Sequence, residues 1–239
     1  MDYQELDYQT TSRERELAIA SAFPALMRKV YTWMTLALII TGFTAYAVAS
    51  NQAAVNFLFT HTALIWILFG AELIIVFGLS AAINRLSLTT ATLLFVLYSV
   101  INGVVFSSLF LAYTMTSIAT VFFITAGTFA AMSAFGYFTT ADLSSWGKIL
   151  IMALIGLIIA SIVNIFVKSS GFEVILSYIG VLIFVGLTAY DTQKIKQMFL
   201  QAPDASEQTQ KYALLGALSL YLDFINLFIY LLRIFGRRD

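Results

Sequence analysis

Three acidic residues, Glu72, Asp191 and Asp223, fall inside runs otherwise apolar enough to sit in a bilayer. An aspartate at the centre of a membrane helix costs about 2.5–3.5 kcal/mol on insertion scales, so its side chain must face protein or water rather than lipid. Around Asp223 the residues Gly216, Ser219, Asp223, Asn226, Tyr230 and Arg233 recur in alternating steps of three and four, which places them on one helical face. Asp191 closes the preceding apolar run, within Gly186-Leu-Thr-Ala-Tyr-Asp-Thr-Gln-Lys-Ile195. If the two aspartates meet across consecutive helices, like charge and low dielectric prevent both from ionising together, and the pair titrates as a unit. Such a pair is a proton sensor and, when deprotonated, a hard oxygen site suited to Ca²⁺.

The depths of the two aspartates conflict. Asp191 lies one turn from Lys194, whereas Asp223 lies twelve residues beyond Lys211, about 18 Å along a helix. They match only if the last helix begins outside the hydrocarbon, or if Lys194 and Lys196 snorkel from deeper positions. Glu72 reads either as a protonated acid hydrogen-bonded in the core or as part of a cation path. Arg85, at the end of the same helix, is either a topology signal or a counter-ion for a buried carboxylate. Asn102, Asn164 and Asn226 suit interhelical amide bonds, and Gly156, Ala160 and Asn164 share a face that suggests close helix packing.

Composition sets the class. Of 239 residues, 60% are hydrophobic and 11% charged, with a mean hydropathy of +0.89. Charged surface is too scarce for a soluble domain, so the chain reads as an all-α integral membrane protein. Its zero net charge gives no sign of a nucleic-acid partner. The absence of cysteine removes disulfides, thiolate metal sites and cysteine nucleophiles. With prolines only at 24 and 203, most spans should be continuous.

Residues 1–29 mix acidic and basic side chains and read as a cytoplasmic segment rather than a signal peptide. Leu17, Ala20, Phe23 and Met27 share a face there, predicting a short interfacial helix interrupted at Pro24. From 30 to 239 runs a seven-helix transmembrane domain, with spans at about 30–50, 62–83, 88–112, 118–138, 148–167, 173–193 and 212–235. The segment Asn51–His61 is predicted as a connector. A cytoplasmic N-terminus puts Arg13, Arg15, Arg28, Lys29, Arg85, Lys148, Lys194, Lys196 and Lys211 inside, against Lys168, Arg233, Arg237 and Arg238 outside. The terminal arginines oppose that rule unless the last helix stops short of a full crossing; a full crossing is the expectation adopted, with the other charges outvoting them.

Three stretches resemble the transmembrane Bax-inhibitor-motif family in its bacterial branch: Met27-Arg-Lys-Val-Tyr-Thr-Trp-Met-Thr35, Gly186–Ile195 as quoted above, and Ala217-Leu-Ser-Leu-Tyr-Leu-Asp-Phe-Ile-Asn-Leu-Phe-Ile229. The resemblance implies six helices around a central C-terminal one and a passive, pH-sensitive Ca²⁺ leak. It places the family's paired aspartates on Asp191 and Asp223, tentative Ca²⁺ ligands. It places the latching arginine on Arg85, allowing a small gap, and the acidic residue of that helix on Glu72. Ser219, Asn226 and Tyr230 become supporting polar groups. The expected setting is the bacterial inner membrane, with lipid, protons and Ca²⁺ as partners and no cofactor.

Two other classes compete. An intramembrane aspartyl protease also carries aspartates on its sixth and seventh helices, and Tyr190-Asp191 matches half of that signature. The other half is missing, because Leu220-Tyr221-Leu222-Asp223 replaces Gly-x-Gly-Asp and no Pro-Ala-Leu follows. An enzyme is therefore not expected. The third class is a scaffold or regulator of other membrane proteins.

Overall fold

The computed structural model describes residues 3–200 and 206–237, with side chains described for 23–61, 63–200 and 206–237. Among the described residues the chain is all helical: α1 (Tyr3–Ala49), α2 (Gln52–Thr60), α3 (Thr62–Ala82), α4 (Leu88–Ala112), α5 (Met115–Phe138), α6 (Ser144–Val167), α7 (Ser170–Leu200) and α8 (Glu207–Phe235). Seven of these contain spans long and apolar enough to cross a membrane; α2 does not. The predicted connector 51–61 is mostly this short helix, started by Asn51, whose Oδ1 accepts from the Ala53 and Ala54 amides at 3.0 and 3.2 Å.

The predicted interruption at Pro24 does not occur. A single helix, α1, runs through it. Proline removes one donor to the preceding turn, but strong helix formers follow in Ala25-Leu26-Met27-Arg28-Lys29 and carry the helix on. Met27 is buried and Phe23 half-buried, while the side chains of Leu17 and Ala20 lie outside the described set.

The C-terminal helix is the centre of the bundle. Along its span 67% is buried, against 44% for α7 and 6% for α6. Its neighbours are α1, α4, α5 and α7, while α3 leans on α4 and α6 on α7. Leu220 and Leu227 are wholly enclosed, as is Tyr221, whose ring meets Phe95 and Tyr98 edge-on. Tyr221 donates its hydroxyl to Thr41 Oγ1 at 2.7 Å, and that hydroxyl in turn donates to the Ser99 carbonyl at 2.9 Å. One buried tyrosine thereby ties α8 to α1 and α4.

The two ends of the bundle differ in charge. At one end Lys29 donates to Gln210 at 2.8 Å, the Leu88 amide donates to Glu207 at 3.1 Å, and Lys196 donates to the Tyr137 carbonyl at 2.7 Å. Lys211, mostly buried, pairs with Glu207 at 3.4 Å. At the other end the Thr114 amide donates to the Arg237 carbonyl, and the Arg237 amide to Ser117 Oγ. The last helix thus runs the full length of the bundle, and Arg233 and Arg237 stand opposite the lysines.

Close packing concentrates where glycine permits it. A Cβ on Gly136 of α5 would run into the backbone carbonyl group of Ala189 in α7, with the Ala189 carbonyl carbon at 2.8 Å. Gly156 of α6 is different: nothing lies within 4 Å of where its Cβ would be. The close-packed face predicted for Gly156, Ala160 and Asn164 is therefore corrected. Gly156 is exposed, and Asn164 Oδ1 accepts the Ser169 amide at 3.2 Å near the helix end. Gly136→Ala is expected to cost about 1–3 kcal/mol through overpacking and to lower the melting temperature in detergent. Gly156→Ala is expected to leave it unchanged or raised; equal effects would contradict the packing described.

Candidate functional site

Helices α7 and α8 pack antiparallel, and their register fixes the acidic seam. Gly216 accommodates Ile195, and Gly180 accommodates the ring of Tyr230, which stacks on Phe184 at 5.9 Å. Between these contacts the Ser219 hydroxyl donates to Asp191 Oδ2. Asp223 lies four residues beyond Ser219, about 6 Å further along the helix. The aspartates are therefore neighbours staggered by a turn, close enough to interact electrostatically but not level. The conflict of depths noted in the sequence is resolved by this stagger and by α8 starting four residues before Lys211.

Their surroundings differ sharply. Asp191 is half-buried and lines a cavity of about 260 Å³ with Ser80, Lys194, Met198, Ser219 and Leu222. Asp223 is 4% exposed, does not line that cavity, and its Oδ2 is enclosed without a hydrogen-bond partner. An unpaired buried polar oxygen costs about 1–3 kcal/mol. Asp191 is held by a donor at the edge of a cavity; Asp223 is enclosed by protein.

The remaining predicted residues divide. Ser219 joins the seam directly. Asn226 instead donates to the carbonyl of Leu222 within its own helix at 2.8 Å. Tyr230 packs on α7, with the Arg233 guanidinium 5.5 Å from its ring centre. Arg85 is exposed in the turn after α3 and forms no salt bridge with a described residue, so no arginine latch is closed in this structure. Glu72 stands apart from the aspartates, close enough to act electrostatically on Tyr98 and Tyr221, with Oε1 enclosed and unpartnered. The cation beside Asp191 is Lys194, which the sequence presents as a depth marker and a topology charge rather than as a partner. Its i, i+3 spacing from Asp191 was the available signal.

As a metal site the seam is sparse. No group of three or more His, Cys, Asp or Glu side chains comes together among the described residues. Two staggered carboxylates and one hydroxyl fall well short of the roughly six to eight oxygens that a resident Ca²⁺ takes. The donor set suits an ion in passage better than one that stays.

Comparison with known proteins settles the kinship. The family model described as inhibitor of apoptosis-promoting Bax1 matches residues 24–239. The chain belongs to this Bax inhibitor-like family. The inner membrane protein YbhL of Escherichia coli K12 is 50% identical over 213 residues, covering 89% of this chain and 91% of that protein. An uncharacterized protein of Borreliella burgdorferi is 46% identical over 232 residues, 95% of this chain and 97% of its own length. Another, from Rickettsia prowazekii, is 46% identical over 212 residues, 89% of both chains. The Bax inhibitor-like match begins within α1, at Pro24, and takes in all seven spans.

The contrast between the two aspartates has opposite consequences for stability. Ser219→Ala removes the donor to Asp191 and is expected to lower the melting temperature. Asp223→Val removes an unpartnered buried oxygen and is expected to raise it, by the equivalent of about 1–3 kcal/mol. A fall in both would mean that Asp223 has a partner in the folded protein.

Proposed function

We propose that this Bax inhibitor-like membrane protein is a passive cation leak, with Ca²⁺ as a carried ion, gated by protonation of the Asp191–Asp223 pair. The observation that carries the reading is the unequal placement of the pair along one seam, Asp191 at a cavity and Asp223 sealed one turn beyond it. A second cavity of about 510 Å³ lies at the opposite end, lined by Thr114, Ser117, Thr120 and Arg237 among others. Next to Asp223 on α8, Phe224 and Phe228 pack with Phe122 and Phe129 of α5, with centroids 5.5–6.4 Å apart; Phe129, Phe224 and Phe228 are buried and Phe122 is partly exposed. These features support the reading of a closed pore with its titratable group at the constriction. Opening requires water to reach Asp223 and the ring layer to part.

Arg85 enters as a latch in another state of the same cycle: Ser80, five residues before it, already lines the cavity. The lysine-rich end is assigned to the cytoplasm by its excess of Lys over the other end, in a bacterial inner membrane like that named for YbhL. The enzymatic alternative, an aspartyl protease, needs two carboxyls facing one water. The one-turn stagger and the enclosure of Asp223 weigh against it.

Ca²⁺ flux into proteoliposomes at several pH values tests the proposal. Wild-type protein is expected to leak with a rate that changes with pH, and Asp191→Asn with Asp223→Asn to abolish that dependence. Arg85→Gln is expected to change the rate while the pH dependence remains. A double asparagine variant with unaltered flux and pH profile would refute the mechanism.

A further inference from the structure

A second feature lies on the lipid-facing side of the bundle, away from the aspartates. Helices α1 and α5 each pack on α7 and α8 and meet each other through side chains, with Phe23 stacked on Tyr137 at 5.9 Å and Tyr31 bonded to Ser133. The slot left between them is an open groove of about 480 Å³, within the range of roughly 300–1,000 Å³ usual for small-molecule sites. Its walls are mainly apolar, from Met34 on α1 and Phe129, Ala130, Ala134 and Phe138 on α5. At its floor Tyr31 and Ser133 share a 2.6 Å hydrogen bond, and Ser133 continues to Thr192 at 3.1 Å. The polar atoms of the floor are therefore already satisfied, and what the groove offers an occupant is apolar wall.

Length and charge define the occupant. The α5 wall runs from Phe129 to Phe138, about 14 Å of helix, which is close to half of the ~30 Å hydrocarbon core. A transmembrane helix would need a seam of twice that length, whereas an acyl chain of one leaflet needs only this much. The groove reaches the lysine-rich end, where Lys196 donates to the Tyr137 carbonyl. That bond uses one of three ammonium donors, and the ammonium also lies 5.6 Å from the centre of the Tyr137 ring. Arg28 is exposed one turn before Tyr31 on the same stripe of α1. Neither Arg28 nor Lys196 is in a salt bridge with a described residue. An apolar slot one leaflet deep, ending at two cations that form no salt bridge with a described residue, is complementary to a phospholipid with an anionic headgroup.

We propose that the α1–α5 groove holds one acyl chain of an anionic phospholipid, with its phosphate at Arg28 and Lys196. The groove does not include either aspartate, although its wall residue Phe129 also packs on Phe224 of the ring layer, and lipid retention is read without any measurement of flux. Lipid retention by the purified full-length protein, delipidated and then offered phosphatidylglycerol or phosphatidylcholine of matched chains, is read by native mass spectrometry. Phosphatidylglycerol should be retained in preference. Arg28→Gln and Lys196→Gln should weaken that retention about fivefold per cation removed and leave phosphatidylcholine unchanged. Ala134→Trp, which fills the groove from an exposed position, should abolish retention of both, and Ile158→Trp on the lipid-facing side of α6 should not. Melting temperatures without lipid separate loss of the site from loss of the fold, and the glutamine variants test the headgroup contact if Ala134→Trp does not fold. Equal retention of the two lipids by wild-type protein would overturn the proposal, as would unaltered retention in the glutamine variants. A dimer that Ala134→Trp dissolves would also overturn it, by putting a second copy in the groove.

Discussion

Asp223 is a buried carboxyl with one oxygen that no described residue satisfies. Every other feature of the seam is arranged around that cost. A helix can hold such a group within a membrane protein only if neighbouring helices exclude lipid from it, and α8 achieves this by being surrounded by α1, α4, α5 and α7. Tyr221, two residues before Asp223, faces the opposite way and anchors the helix through Thr41 and Ser99. Rotation of α8 that would relieve Asp223 would break that anchor. The strain of the acidic face and the satisfaction of the tyrosine face are thus two sides of one helix.

The stagger between the aspartates follows from side-chain size rather than from charge. Ile195 against Gly216 and Tyr230 against Gly180 set how far α8 slides along α7, and Ser219 then meets Asp191 while Asp223 passes it by one turn. Asp191 gains a donor, a nearby lysine and a cavity. Asp223 gains none of these. Two residues of the same chemical type acquire different roles from environment alone, which is how paired carboxyls are separated in function.

Much of this was legible in the sequence because lipid is a strict solvent. Seven apolar runs had to become seven spans, whereas the three-four stripe through Asp223 is inward only in part: Gly216 and Asp223 are buried, Ser219, Asn226 and Tyr230 half-buried, and Arg233 exposed. The pairing of Asp191 with the last helix was legible from motif resemblance. What escaped was anything decided by tertiary contact. The short helix α2 is nine residues long, too short to signal itself by periodicity. Continuity through Pro24 depended on the turns that follow it. The one-turn stagger depended on which glycine meets which side chain, and the exposed position of Arg85 on where α3 ends. Gly156 shows the converse: small-residue spacing that suggests an interface lies open to lipid, because α6 packs on α7 with another face.

The central claim is that the seam is wet at Asp191 and sealed one turn deeper. The chain contains no cysteine, so single thiols can be placed without a background. A membrane-impermeant thiol reagent applied from the lysine-rich side should label Ser219→Cys, which borders the cavity, and leave Asp223→Cys unlabelled. Labelling of both at similar rates, or of Asp223→Cys alone, would contradict the account.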